Sequence, residues 1–171
     1  AIESFEILPD GSLRAVLAHL PDARTPLSGP HPWHVLIEAT APDLEGEAPT
    51  ALLERLLGEA LETGLAGDAV VAASERQADA FWTIRDSVSA AERARGPATQ
   101  HDISVPVDRM PRFMVEAAVA AEARFPGTHA TAFGHLGDGN VHFHVRAPGG
   151  ADPARWYAED VPVVTRFVHD L

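Results

Sequence analysis

Residues 134–145 read GHLGDGNVHFHV, and the reading of this stretch decides the fold. Asp138-Gly139 at its centre signals a hairpin, because a type I′ turn requires positive φ at both central positions and this dipeptide tolerates it. With these two residues as the turn, the pairs run outward as 137/140, 136/141 and 135/142. A four-residue loop over 137–140 leaves the outer pairs unchanged. His135 and His142 are then expected opposite each other, with Cβ atoms about 4.5–5.5 Å apart. Alternation puts Asn140, His142 and His144 on one face together with His135. Leu136, Val141, Phe143 and Val145 fall on the other face and read as core.

Two opposed imidazoles on a ladder suit a first-row divalent metal, since each offers one neutral nitrogen to a common point. A catalytic zinc site uses about three protein ligands and an open position. His144 is the nearest third candidate, but two residues along a strand is about 6.6 Å. A hairpin whose histidines only hydrogen-bond explains the same pattern, and the residues alone leave the two readings level.

The rest of the composition narrows the class. With 171 residues, 46% hydrophobic and 22% charged, the chain suits one domain with a sizeable core. Thirteen basic against twenty-five acidic side chains give a net charge of −12, which argues against a nucleic-acid partner. The absence of cysteine removes disulfides and thiolate ligands. No apolar run approaches the roughly 18 residues of a membrane span, and no leader pattern opens the chain. A cytoplasmic protein without a transmembrane segment is the expectation. No GxGxxG or P-loop pattern is present to cradle a pyrophosphate.

Upstream, AIESFEIL reads as a strand, with Ile2, Phe5 and Ile7 as its apolar positions. Residues 10–20 read as a short helix with Asp10 as N-cap, and the proline-rich 21–32 as a loop. His19, His31 and His34 are expected at the surface or in loops. WHVLIEAT (33–40) reads as a central strand, Thr50–Glu62 as a helix ended at Gly64, and DAVVAAS (68–74) as a buried strand. A single helix is expected from Glu75 to Arg95, then a strand HDISVPV (101–107) and a helix from Asp108 to Arg124. An amphipathic tail follows from Pro153. The opening without Met and the uncapped end at Leu171 suggest a piece of a longer protein. This pattern of elements predicts an α+β sandwich, helices packed on one mostly antiparallel sheet.

In FWTIRDSVSAAERA (81–94), Phe81, Ile84, Val88 and Ala91 form a buried stripe at helical spacing. Trp82, Arg85 and Ser89 lie on the neighbouring shoulder. A guanidinium beside an aromatic and a hydroxyl can clamp a carboxylate in a fork. A solvated arginine paired with Asp86 or Glu92 is the plainer reading, and from the residues alone the stronger one.

The succession FWTIR, HDISVPVDR, GHLGDGNVHFHV resembles the C-terminal domain of FAD-linked oxidases, the group of D-lactate, glycolate and D-2-hydroxyglutarate dehydrogenases. The resemblance covers nearly the whole chain and is most specific in GHLGDGN-x-H. It implies a ferredoxin-like cap domain over a flavin, with the FAD held mainly by a separate domain of the same protein. It further implies His135 and His142 as ligands of a divalent metal (Zn, Mn or Fe), and Arg85 as the holder of the substrate carboxylate. Ser89, Gln100, Asn140 and His144 take substrate-binding positions. Gln100 stands where several members carry lysine, and His144 where the 2-hydroxyglutarate enzymes have asparagine, departures that bear on a dicarboxylate substrate. The implied reaction is oxidation of a 2-hydroxy acid, hydride passing from the α-carbon to the flavin. The family's base and third metal ligand come from a later SAEHG-like stretch, absent here, so no catalytic base is assigned within these residues and the fragment alone is expected to be inactive.

Two other readings compete. A non-catalytic binding or oligomerisation module, with a second copy as partner, would explain the missing base and an exposed helix at 153–171. A metal-dependent hydrolase built on His142 and His144 lacks the Asp-His such enzymes place next, where Val145-Arg146 stands.

Overall fold

The computed structural model describes residues 1–41 and 47–171. Strands β1 (Ile2–Pro9), β2 (Trp33–Ala39), β3 (Ala98–Ser104), β4 (His129–His135) and β5 (Asn140–Arg146) form one sheet in the order β2-β1-β4-β5-β3. Every neighbouring pair is antiparallel. The helices are α1 (Asp10–His19), α2 (Pro49–Glu62), α3 (Glu75–Asp86), α4 (Val88–Ala94), α5 (Met110–Arg124), α6 (Pro153–Arg155) and α7 (Val161–His169). The expected α+β class holds. The order of elements, β-α-β, three helices, then β-α-β-β, departs from the β-α-β-β-α-β order of a ferredoxin-like unit, and the finer label does not follow from it.

Helices pack on both faces of the sheet. On one face Ala130, Ala132, Val141, Phe143 and Val145 meet Met110, Met114, Ala117 and Ala121 of α5, with Trp156, Val164 and Val168 of the tail. The α5 positions repeat at four, three and four residues, which places them on one stripe. On the other face Leu8 and Phe133 meet Leu13 and Val16 of α1 and Ile84, Val88 and Ala91 of α3 and α4. Phe133 and Phe143 point to opposite faces and are each about 1% exposed or less. Burying such a side chain stabilises the fold by about 3 kcal/mol.

The hairpin forms, but its register differs from the expected one. His135 faces Asn140 and Phe133 faces His142, so the strands have slid by two residues and the loop is 136–139. Only Gly139 has positive φ (78°) and Asp138 does not, which excludes the type I′ turn. Neighbouring strands claim the loop instead: Leu136 N–H donates to the Phe5 carbonyl (2.7 Å) and Val105 N–H to that of Gly139 (3.0 Å). A slip of two residues leaves every side chain on its expected face, where a slip of one would have inverted them all.

Further corrections follow from partners that lie far off in sequence. WHVLIEAT is not central: β2 is an edge strand, and Val35 is exposed. DAVVAAS forms no strand. Its backbone donors go to side chains, Ala69 N–H to Asp68 Oδ1 and Ala73 N–H to Gln77 Oε1, both at 2.8 Å. The helix expected over 75–95 breaks at Ser87 (φ −81°, ψ −7°), with the buried stripe continuing across the break. Strand 101–107 lies earlier, at 98–104, because β5 supplies ladder partners only from Asn140 to Arg146. Asp108 sits in a 3₁₀ turn (Val107–Arg109) rather than capping α5, and Asp10 lies inside α1, whose N-cap is Pro9. His34 is buried in β2, its Nε2 3.3 Å from Asp10 Oδ1.

The tail is not an exposed helix. α6 widens into a π turn over Trp156–Asp160 before α7, and Val161 N–H donates to the Trp156 carbonyl. Pro162 offers no N–H to continue the α ladder, and the wider turn accommodates that. The wider turn leaves Trp156, Val164 and Val168 together on the sheet.

Candidate active site

Register alone collects a polar cluster at one end of the face covered by α1, α3 and α4. Glu6 pairs with His135 across β1 and β4, Asn140 with His135 across β4 and β5, and Asp102 with His142 across β3 and β5. Directly paired residues share a face, so these five side chains stand together. His135 and His142 are diagonal rather than opposed, and their rings meet edge to face at 5.2 Å between centroids. Their Nε2 atoms lie 3.3 Å apart.

Each imidazole is oriented by a carboxylate. His135 Nδ1 lies 2.8 Å from Glu6 Oε1, and His142 Nδ1 lies 2.5 Å from Asp102 Oδ1. A carboxylate only accepts, so each Nδ1 must carry the donated proton. In the neutral rings both Nε2 lone pairs then face each other. Two acceptors 3.3 Å apart are stable with a proton or a cation shared between them. Side chains of His135 and His142 are 37% and 23% exposed, so a ligand can reach them from solvent.

Arg85 reaches this cluster from α3. Its Nε donates to Glu6 Oε2 at 2.8 Å and its Nη2 lies 2.7 Å from the same oxygen. Nη2 is also 3.2 Å from His135 Nδ1 and 3.1 Å from Nε2. A point equally far from both ring nitrogens lies over the imidazole face rather than along either lone pair. Nη2 therefore sits over the His135 ring, and Nη1 has no protein hydrogen bond among the described residues. Arg85 pairs with neither Asp86 nor Glu92. Glu92 instead binds Ser12, Arg95 and Arg146.

Glu6, which reading the sequence missed, is the junction of the cluster. It is 3% exposed and accepts from Ser4 Oγ (2.8 Å) as well as from Arg85 and His135. Burial by itself would raise its carboxyl pKa, but the hydrogen bonds from His135, Ser4 and Arg85 outweigh it and hold the group below its ordinary range. The local signal was the adjacent apolar pair Ile7-Leu8, which points to cover on both faces of β1, while what Glu6 meets there is set by its pairing with His135. Asp102 was likewise not singled out.

The other expected residues are less closely joined. Asn140 lies beside His135, its Oδ1 buried without a partner. Ser89 is half-buried and makes no hydrogen bond to Arg85 or either histidine among the described residues. Gln100 is exposed opposite His144, lining a recess of about 380 Å³ with Arg93, Thr99 and Tyr157. His144 packs edge-on against Phe133 at 5.0 Å, with Nδ1 buried and unpartnered.

Burial, and then the neighbouring His142 and Arg93, depress the His144 imidazole from 6.5 to about 4. Its folded-state pKa is below the unfolded one, so the unfolded chain takes up the proton first on acidification. Stability should therefore fall between about pH 6.5 and 4, by up to about 3 kcal/mol. Denaturant unfolding at pH 7 and pH 4 measures this loss, and His144→Asn should flatten it. Equal pH dependence in that variant would assign the loss to other groups.

The family model for FAD linked oxidases, C-terminal domain, matches residues 1–161. The chain belongs to that family. Among relatives of this FAD-linked oxidase domain, the D-2-hydroxyglutarate dehydrogenase of Xanthomonas citri pv. viticola is 33% identical over 157 residues, 92% of this chain and 32% of that protein. The mitochondrial D-2-hydroxyglutarate dehydrogenase of Arabidopsis thaliana is 33% identical over 148 residues, 85% of this chain and 25% of its own length. The D-2-hydroxyglutarate dehydrogenase of Stutzerimonas stutzeri is 29% identical over 159 residues, covering 92% of this chain and 33% of the relative. The FAD-linked oxidase domain described here thus spans a third or less of these relatives. No helix among its described residues is long and apolar enough to cross a membrane.

Proposed function

We propose that this chain is the substrate- and metal-binding domain of a longer FAD-dependent dehydrogenase that oxidises a 2-hydroxy acid. The observation that carries the reading is the pair of Nε2 atoms 3.3 Å apart with the Arg85 guanidinium against one of the rings. A 2-hydroxy acid presents a carboxylate and a hydroxyl on adjacent carbons, which suits a cation fork beside a second oxygen-binding point. The relatives' names extend the substrate class to D-2-hydroxyglutarate, whose second carboxylate needs a further cation. Gln100 is neutral, so the smaller 2-hydroxy acids fit this chain at least as well.

The donor chemistry suits a divalent metal at His135 and His142. Two nitrogens at about 2.0–2.1 Å from a tetrahedral centre are about 3.3–3.4 Å apart. Both Nδ1 protons are already given to carboxylates, the usual outer support of ligating histidines. Among the described residues no group of three or more His, Asp or Glu is placed to hold a metal ion, so these two form half a site. A metal held by His135 and His142 would supply Lewis-acid polarisation, and a flavin would be the electron acceptor. Arg85 Nη1 orients the carboxylate, Glu6 keeps Arg85 and His135 in place, and Asp102 does the same for His142. We place the base, the third metal ligand and most of the FAD site outside this chain.

Calorimetric titration of the 171-residue chain with Zn²⁺ and Mn²⁺, and its visible spectrum, test the division of labour. Weak metal binding and no flavin absorbance are expected, since the chain has two ligands and no phosphate loop. Tight 1:1 binding or a yellow protein would show that the site is complete within these residues. In the full-length protein, glycolate, D-lactate and D-2-hydroxyglutarate should be tried as reductants of the flavin. Failure of every 2-hydroxy acid to bleach it would overturn the functional reading.

A further inference from the structure

We infer that Glu6 is the positioning residue of this site, one buried carboxylate that sets both the tautomer of His135 and the pose of the Arg85 guanidinium. The inference rests on the function proposed above and adds a residue to it. Glu6 Oε1 takes the His135 Nδ1 proton at 2.8 Å while Oε2 takes Arg85 Nε at 2.8 Å and lies 2.7 Å from Nη2. Ser4 Oγ closes the remaining side of Oε1 at 2.8 Å. The two oxygens of one group thus serve the two recognition elements separately. Loss of the Oε1 contact frees His135 to protonate Nε2, which turns the nitrogen facing His142 from an acceptor into a donor. Loss of the Oε2 contact frees the guanidinium to swing off the imidazole face. β1 provides the rigidity, because the Glu6 backbone is paired on both sides, with Leu36 of β2 and His135 of β4.

Glu6→Gln in the full-length protein is the test. The amide keeps the size but turns one acceptor oxygen into a donor, so it cannot accept from both partners. The first readout is the ¹⁵N shift pattern of His135 in histidine-labelled protein, identified by its loss in His135→Gln. A change from the Nδ1–H pattern toward Nε2–H is expected. The second is Zn²⁺ affinity, expected to fall about 10–100-fold. Glu92→Gln is the control. Glu92 is an equally buried carboxylate, 3% exposed, bound to Ser12, Arg95 and Arg146. Its variant should lower Tm and leave both readouts at wild type. Glu6→Asp keeps the charge but retreats by one methylene, and should show the same two changes in smaller measure. It carries the test if Glu6→Gln does not fold. Wild-type tautomer and Zn²⁺ affinity in a folded Glu6 variant would overturn the inference. Absence of Zn²⁺ and Mn²⁺ binding by the wild-type protein would instead overturn the metal reading, and the tautomer readout would still decide the role of Glu6.

Discussion

Replacing Arg85 by lysine in the full-length protein is expected to lower kcat/KM for the proposed 2-hydroxy acid substrate by about 10²–10³-fold, or about 2.7–4 kcal/mol of transition-state stabilisation. Charge is conserved, so the loss would come from geometry. The guanidinium divides its donors: Nε and Nη2 go to Glu6, Nη2 rests on His135, and Nη1 has no protein partner among the described residues. An ammonium is a single point. It can neutralise the buried Glu6 or meet a substrate carboxylate, and the buried carboxylate 3% exposed at the strand centre is the stronger competitor. KM should rise and kcat fall together, with Tm within a few degrees of wild type. Steady-state kinetics and a thermal melt decide the matter. Activity within about threefold of wild type in a folded variant would remove Arg85 from the substrate.

The second large effect is expected at Gly134. A Cβ built there would overlap the Asn140 carbonyl oxygen and lie 3.1 Å from Val141 Cα. Both neighbours are backbone of the paired strand β5, so no rotamer change can make room. Gly134 is also hydrogen-bonded in register with Ile7 of β1, which closes the other side. Gly134→Val forces three carbons between strands that admit none. We expect a loss of about 4 kcal/mol, beyond the ordinary range for overpacking. In a chain of this size that corresponds to about 8–16 °C in Tm. The displaced pair is the one that brings His135 and His142 together, so whatever folds should also lose the edge-to-face contact of the rings. Thermal unfolding followed by circular dichroism checks the first part, and a Tm within about 2 °C of wild type would show that β4 and β5 can separate freely.

Much of the site was legible in the sequence because alternation along a strand is a local property. His135, Asn140, His142 and His144 share a face whatever the register, provided it slips by an even number of residues. The buried stripe of Ile84, Val88 and Ala91 was equally local, and it placed Arg85 on a shoulder beside a packed surface. Periodicity could not say what the shoulder faces. That depended on β1 lying next to β4, a pairing of residues 129 apart in sequence for the Glu6–His135 contact. The family resemblance supplied roles for Arg85, His135 and His142, but not the carboxylates that orient them.

By itself, then, the sequence determined the buried stripe of Ile84, Val88 and Ala91, which strand face carries the imidazoles, and the α+β class with its family. Tertiary structure decided the hairpin register, the edge position of β2, the absence of a strand at 68–74, the break at Ser87, and above all the convergence on Glu6. The physical reason is that hydrophobic burial acts residue by residue and leaves its period in the chain, while ladder hydrogen bonds are satisfied only by a particular partner. Leu136 N–H goes to Phe5 and Val105 N–H goes to Gly139. Those two bonds hold the loop at 136–139, and no pattern within residues 134–145 contains either partner.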